Sequence, residues 1–167
     1  NRALNLKGKR VLITGAVPIG ALCTALAREA NADEIIVTDL EDLPLEIAKN
    51  MGANITINIA KSPEDLNAFS KDKGYFDVAF ECSAAQTAIE TCIETVRPHA
   101  TIIQVGVTGN LSIPINKLVG KEISFVGTHR FHSEFSDAVK MIDTNKIDVS
   151  PIISHSYPLE KAVEAFE

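Results

Sequence analysis

Residues 11–39 pass through four blocks: an apolar run VLIT, a turn GAVPIG, an Ala/Leu-rich stretch, and a second apolar run, EIIVTD, that ends in a carboxylate. Short continuous apolar runs closed by glycine or a polar residue predict strands covered on both faces, and the Ala/Leu block predicts the helix crossing between them. The alternation continues. A helix is predicted over about 41–51 with Gly52 as its C′ residue, then a short strand INI at 57–59. Ser62 and Pro63 read as the cap and first position of a helix to about 71, which Gly74 ends before a strand DVAFEC at 77–82. A helix near 85–96 places Ala85, Ala88, Ile89, Cys92 and Val96 on one core-facing stripe, with Arg97 and Pro98 as its terminus. Strands TIIQVG at 101–106, LSIPI at 111–115 and EISFVG at 122–127 follow, and Pro114 assigns LSIPI to an edge. Tyr157 and Pro158 open a terminal helix whose Ala162, Val163 and Phe166 form a packing stripe. With no linker, repeat or low-complexity tract, the chain reads as one α/β domain over 1–167. Its expected architecture is a doubly wound, parallel, six-stranded sheet with helices on both faces.

The first turn carries candidate chemistry. Gly15, Val17 and Gly20 occupy the glycine positions of G-x-G-x-x-G, and Asp39 lies 19 residues beyond Gly20, where a carboxylate can receive the ribose hydroxyls of an adenosine. This spacing, directly after a strand, points to a Rossmann fold and a dinucleotide cofactor. Gly15 supplies the turn, Gly20 permits close helix–strand packing, and Pro18 and Ile19 begin the helix whose N-terminus faces the pyrophosphate. Val17 replaces the middle glycine, so a β-branched side chain must point away or hold the cofactor back. Cys82, Ser83 and Ala84, then Val105, Gly106 and Val107, then Gly127 and Thr128, stand at the carboxyl ends of later strands and are read as the rim of one cofactor groove. Asp39 followed by Leu40 and Glu41 favours NAD over NADP, because a 2′-phosphate would meet a carboxylate and no nearby arginine.

Composition narrows the partners. A length of 167 residues, 46% of them hydrophobic, is enough for one core that buries about 70% of the extended surface. A net charge of −6, with 16 dispersed basic residues, argues against nucleic acid. No apolar run reaches membrane-spanning length and no signal segment opens the chain, so a cytoplasmic protein is expected. Cys23, Cys82 and Cys92 lack metal or disulfide-framework spacing and read as reduced core or cofactor-wall residues. His129 and His132 could share a metal only on a helix and have no companion ligand; His99 reads as an exposed turn residue. Glu81 is a carboxylate of either the core or the rim. Tyr157 and Lys161 match the Y-x-x-x-K pair of short-chain dehydrogenases, but that family's glycine spacing would need glycine where Ile19 and Ala21 stand.

The stretches LITGAVPIG, IIVTDL, MGAN, FDVAFECSAA, VRPHATIIQVG, KEISFVGTHRF and DVSPIISHSYPLEKAVEAFE resemble, in order, the coenzyme-binding domain of the zinc-dependent medium-chain alcohol and polyol dehydrogenases, on the branch that includes sorbitol and L-idonate 5-dehydrogenases. Three positions depart from that pattern: Val17, Ala84 where glycine is usual, and His99 with Ala100 where Gly-Gly is usual. The resemblance implies a fragment that holds NAD, while an absent catalytic domain of the same polypeptide supplies the zinc ligands and hydride transfer from a polyol or sugar acid. No residue of the fragment would then be catalytic. It further implies that Arg130 contacts substrate, the alternative being a solvated or intersubunit arginine, and that 111–115 pairs across a homodimer interface. A non-catalytic NAD-binding module is the remaining alternative.

Overall fold

Two apolar layers on opposite faces of one sheet organise the chain, and the computed structural model describes residues 5–166. Strands β1 (Arg10–Thr14), β2 (Glu34–Asp39), β3 (Ile55–Asn58), β4 (Phe76–Glu81), β5 (Val96–Gln104) and β6 (Ser124–Gly127) form a parallel sheet in the order β3-β2-β1-β4-β5-β6. Because successive strand side chains alternate faces, Leu12, Ile36, Ala79 and Ile102 enter one layer, and Val11, Ile13, Ile35, Val37, Val78 and Ile103 the other. Helix α3 (Gln86–Thr95) closes the first layer with Ile89, Cys92 and Ile93; α1 (Ile19–Glu29) and α2 (Asp42–Asn50) close the second with Ala27, Leu45 and Ala48. The doubly wound architecture follows from apolar runs that must be covered on both sides.

Several boundaries differ from the sequence reading. The segment opened by Pro63 is a 3₁₀ helix, Pro63–Lys73, broken at Lys71 and Asp72, and Ser62 makes no side-chain cap. Only Leu66 of this polar stretch is buried, so packing does not impose α geometry on it. Helix α3 stops at Thr95, and Val96, Arg97 and Pro98 already belong to β5, whose register against β4 shifts between Phe76 and Val78. The helix needs no terminal glycine because Lys121 Nζ donates to the carbonyls of Ile93, Glu94 and Val96.

Residues 111–114 form no strand. Their polar backbone is met by a side chain instead: Ser112 N–H donates to Gln86 Oε1 at 2.8 Å, and Gln86 Nε2 donates to the Ser112 carbonyl at 2.8 Å. Pro114, which has no N–H, stands immediately before α4 (Ile115–Gly120), and Leu111 and Ile113 pack against the core of their own chain. At the far end, Pro158 is extended and a 3₁₀ turn, Leu159–Lys161, precedes α6 (Ala162–Phe166). The expected packing stripe is not realised there, since Val163 is 74% and Phe166 94% exposed. Helix α5 (Glu134–Asp143) buries no residue. Among the described residues no helix is long and apolar enough to cross a membrane.

Candidate functional site: the carboxyl edge of the sheet

All six strands end on one edge, and the strand order reverses direction between β1 and β4, where open parallel sheets bind ligands. The turn after β1 is built for close approach. Gly15 has φ +82°, and a Cβ there would lie 2.9 Å from the backbone of Ser83, after β4. A Cβ on Gly20 would lie 1.7 Å from the Gly15 carbonyl oxygen, so α1 starts directly on the turn. Both glycines are required sterically. The first N–H groups of α1 have no intrahelical acceptor, and its first turn carries no acidic residue, which leaves a partial positive charge facing the groove. Pro18 lies one residue before the helix with φ −77°, and Val17 and Ile19 are exposed, Val17 by 48%.

Asp39, at the end of β2, is fastened to the turn. Its Oδ2 accepts the Ala16 N–H at 2.7 Å, and its Oδ1 accepts those of Leu40 at 2.7 Å and Glu41 at 3.1 Å. A carboxylate offers about four acceptor positions, so one position on Oδ2 stays open for a ligand hydroxyl. The only cation held at this corner by a described ion pair, Lys61, is paired with Asp42.

Sequence left Glu81 undecided between core and rim; the structure makes it the fully buried tie of the groove floor. Its carboxylate accepts hydrogen bonds from Ser83 N–H at 2.8 Å, Ser83 Oγ at 2.6 Å, Ala84 N–H at 2.9 Å and Thr14 Oγ1 at 3.3 Å, and from Gln104 Nε2. The Glu81 carbonyl accepts the N–H groups of Val105 and Gly106, both at 2.8 Å. One residue thereby joins the ends of β1, β4 and β5. Gln104 was not singled out from sequence; its Nε2 also donates to the Gly106 carbonyl at 2.9 Å, and its buried Oε1 has no partner among the described residues. A polar residue ending an otherwise apolar strand was the available signal.

Beyond this floor, Gln104, Gly106, Val107, Gly127 and Thr128 line an open groove of about 470 Å³. Ala84 adopts φ +60°, in the left-handed region, and His99 adopts φ +62°, so two of the departures from the glycine pattern occupy positions that favour glycine. The three cysteines are free. Cys92 is buried, and desolvation together with the Glu81 charge pushes its thiol up to about 12. Arg130 lies exposed in the loop between β6 and α5. His129 and His132 are in that loop rather than on a helix, and no group of three or more His, Cys, Asp or Glu among the described residues could hold a metal ion. Tyr157 precedes the 3₁₀ turn and Lys161 ends it, paired with Glu164 at 3.2 Å, so they are not a pair within one α-helix.

Residues 18–144 match the family model described as zinc-binding dehydrogenase. The chain is 37% identical over 166 residues to L-idonate 5-dehydrogenase (NAD(P)(+)) of Escherichia coli, covering 99% of this chain and 48% of that protein. It is 34% identical over 169 residues to sorbitol dehydrogenase 1 of Saccharomyces cerevisiae, covering 96% and 47%. The crystal structure of the Escherichia coli L-idonate 5-dehydrogenase superposes with a TM-score of 0.93 at 38% identity, over 98% of this chain and 47% of that one. The chain thus spans about half the length of the relatives it matches. A doubly wound sheet, a glycine turn packed against the switch point and this match over most of the chain lead to one assignment: the chain belongs to the zinc-binding dehydrogenase family and is its NAD-binding Rossmann domain.

Proposed function

We propose that this chain holds NAD for an enzyme that oxidises a polyol or sugar acid, with L-idonate-like and sorbitol-like compounds as the substrate class. The observation that carries the reading is the joint placement of the bare α1 N-terminus and the anchored Asp39 on one turn. The residues fit the cofactor. N–H groups at the start of α1 suit a pyrophosphate, and the open position on Asp39 Oδ2 suits a ribose hydroxyl. Leu40 flanks that adenosine end; Val17, Pro18, Ile19 and Gly20 flank the phosphates. Cys82, Ser83, Ala84, Val105, Gly106, Val107, Gly127 and Thr128 wall the nicotinamide side.

When bound, NAD supplies the hydride acceptor. The protein's part here is orientation: Glu81 locks three strand ends together, so the groove does not reorganise when the cofactor enters. Arg130, exposed in the loop after β6, is assigned to a substrate hydroxyl or carboxylate. The described residues do not fit a catalytic zinc, and its ligands are assigned to the remaining length that the relatives possess. That same remainder would cover Phe135, Val139 and Ile142, which form an exposed stripe on α5.

Titration calorimetry tests the reading. NADH is expected to bind with micromolar affinity and NADPH about tenfold more weakly, because a 2′-phosphate would face Asp39. Asp39→Asn should narrow that difference, and Val17→Gly should strengthen NADH binding severalfold. Absence of NADH binding in the intact protein would overturn the proposal; turnover of sorbitol or L-idonate then tests the substrate class separately.

A further inference from the structure

A second set of charged groups stands at the corner beyond Asp39. In the parallel ladder Asp39 lies opposite Asn58, the last residue of β3, and the Ile59 N–H extends the pairing by donating to the Asp39 carbonyl at 3.0 Å. The chain then turns back on Asn58, whose Oδ1 accepts the N–H groups of Ala60 at 3.1 Å and Lys61 at 3.2 Å. Asn58 Nδ2 donates to Asp42 Oδ1 at 2.6 Å, and Lys61 Nζ donates to Asp42 Oδ2. One side chain, Asn58, thereby fixes both the turn that carries Lys61 and the carboxylate that holds it. Asp42 opens α2, and Asn58 is the ladder neighbour of Asp39, so the Asp42–Lys61 pair borders the open side of the Asp39 carboxylate.

On the reading that Asp39 receives the adenosine ribose, we propose that Lys61 is a latent site for the 2′-phosphate of NADP(H) and that Asp42 keeps it closed. Both partners are exposed, Lys61 by 66% and Asp42 by 58%, so their pairing adds little stability and is exchanged at small cost. A phosphate monoester carries about −1.5 to −2 charge at neutral pH, more than a carboxylate, and the flexible four-carbon stem of lysine lets Nζ turn toward it. Asp42 opposes that exchange twice, by occupying Nζ and by repelling the phosphate. Asp39 and Glu41 add repulsion but hold no lysine of their own among the described residues. The preference between the two cofactors is therefore set by Asp42 as well as by Asp39. Neutralising Asp42 removes one repelling charge and releases one attracting charge in the same step.

Titration calorimetry of the intact protein with NADH and NADPH tests this in wild type, Asp42→Asn, Lys61→Gln and the double variant. Asp42→Asn is expected to lower the ratio of the NADPH to the NADH dissociation constant by about fivefold. Lys61→Gln should reverse that gain in the double variant, while altering the ratio by less than about twofold alone. An unaltered ratio in Asp42→Asn would overturn the proposal, as would a gain that persists without Lys61, since repulsion by Asp42 would then be the whole effect. Failure of wild type to bind NADH would instead remove the reading of Asp39, and the role of Lys61 with it. Should Asp42→Asn fray α2, seen by circular dichroism, Asp42→Ser takes its place, because serine suits a helix start.

Discussion

Ala84 and His99 stand in left-handed backbone where a Cβ is disfavoured by about 1–2 kcal/mol. Glycine at 84 would remove that strain, while giving the unfolded chain about 0.4–1 kcal/mol more conformational freedom to lose. Ala84→Gly is therefore expected to stabilise the protein by about 0.5 kcal/mol, read as a higher urea midpoint with an unchanged slope. A lower midpoint would show that the Ala84 methyl contributes more through packing than it costs in strain. Motif spacing made Gly15, Gly20 and Asp39 legible, because each answers a local demand of the turn. Glu81 and Gln104 were not legible: their importance comes from donors on three strands that are distant in sequence and adjacent only in the sheet.

At the scale of elements, the amino edge of the sheet has its own electrostatic tie. Asp77, in β4, receives the Arg10 N–H at 2.8 Å and pairs with Arg97 at 2.6 Å, joining β1, β4 and β5 at the end opposite the carboxyl edge. Burial would raise its carboxyl, but the Arg10 N–H and the two guanidinium groups outweigh burial and hold it below the ordinary carboxylate range. A depressed folded-state value means that its stabilisation is complete above the unfolded-state range and is lost as pH falls through the folded-state value. Asp77→Asn should thus cost about 2 kcal/mol at neutral pH, and the gap to wild type should close on acidification. Urea titrations at several pH values check this; a gap that stays constant into the acid range would contradict the assignment. The element errors have a common cause. Residues 63–73 carry helix signals but dock through only Leu66 and Phe69, and residues 111–114 carry strand-prone residues whose backbone is taken by Gln86 of α3.

For the whole molecule, α5 and α6 expose Phe135, Val139, Ile142, Val163 and Phe166, and Phe131 lies against Phe135 at 5.1 Å between ring centroids. The sequence reading placed a homodimer contact at 111–115, and that association remains our proposal although the segment is no strand here. Light scattering of the intact protein should give twice the monomer mass. Ile113→Lys, which also disturbs the chain's own core, is informative only when its circular dichroism matches wild type; a folded Ile113→Lys variant that keeps the dimer mass would remove 111–115 from the interface.

Sequence by itself determined the fold class, the parallel alternation, and the positions of the glycine turn and of the carboxylate at the end of β2. These depend on apolar periodicity and on local steric requirements that neighbouring residues express directly. Tertiary structure alone decided that Glu81 is buried and shared by three strand ends, that Cys23 and Cys82 pack on one layer and Cys92 on the other, and that 111–114 surrenders its strand pairing. Those outcomes depend on which donors, thiols and backbone groups the sheet order brings side by side, a property of pairing between distant segments rather than of any one of them.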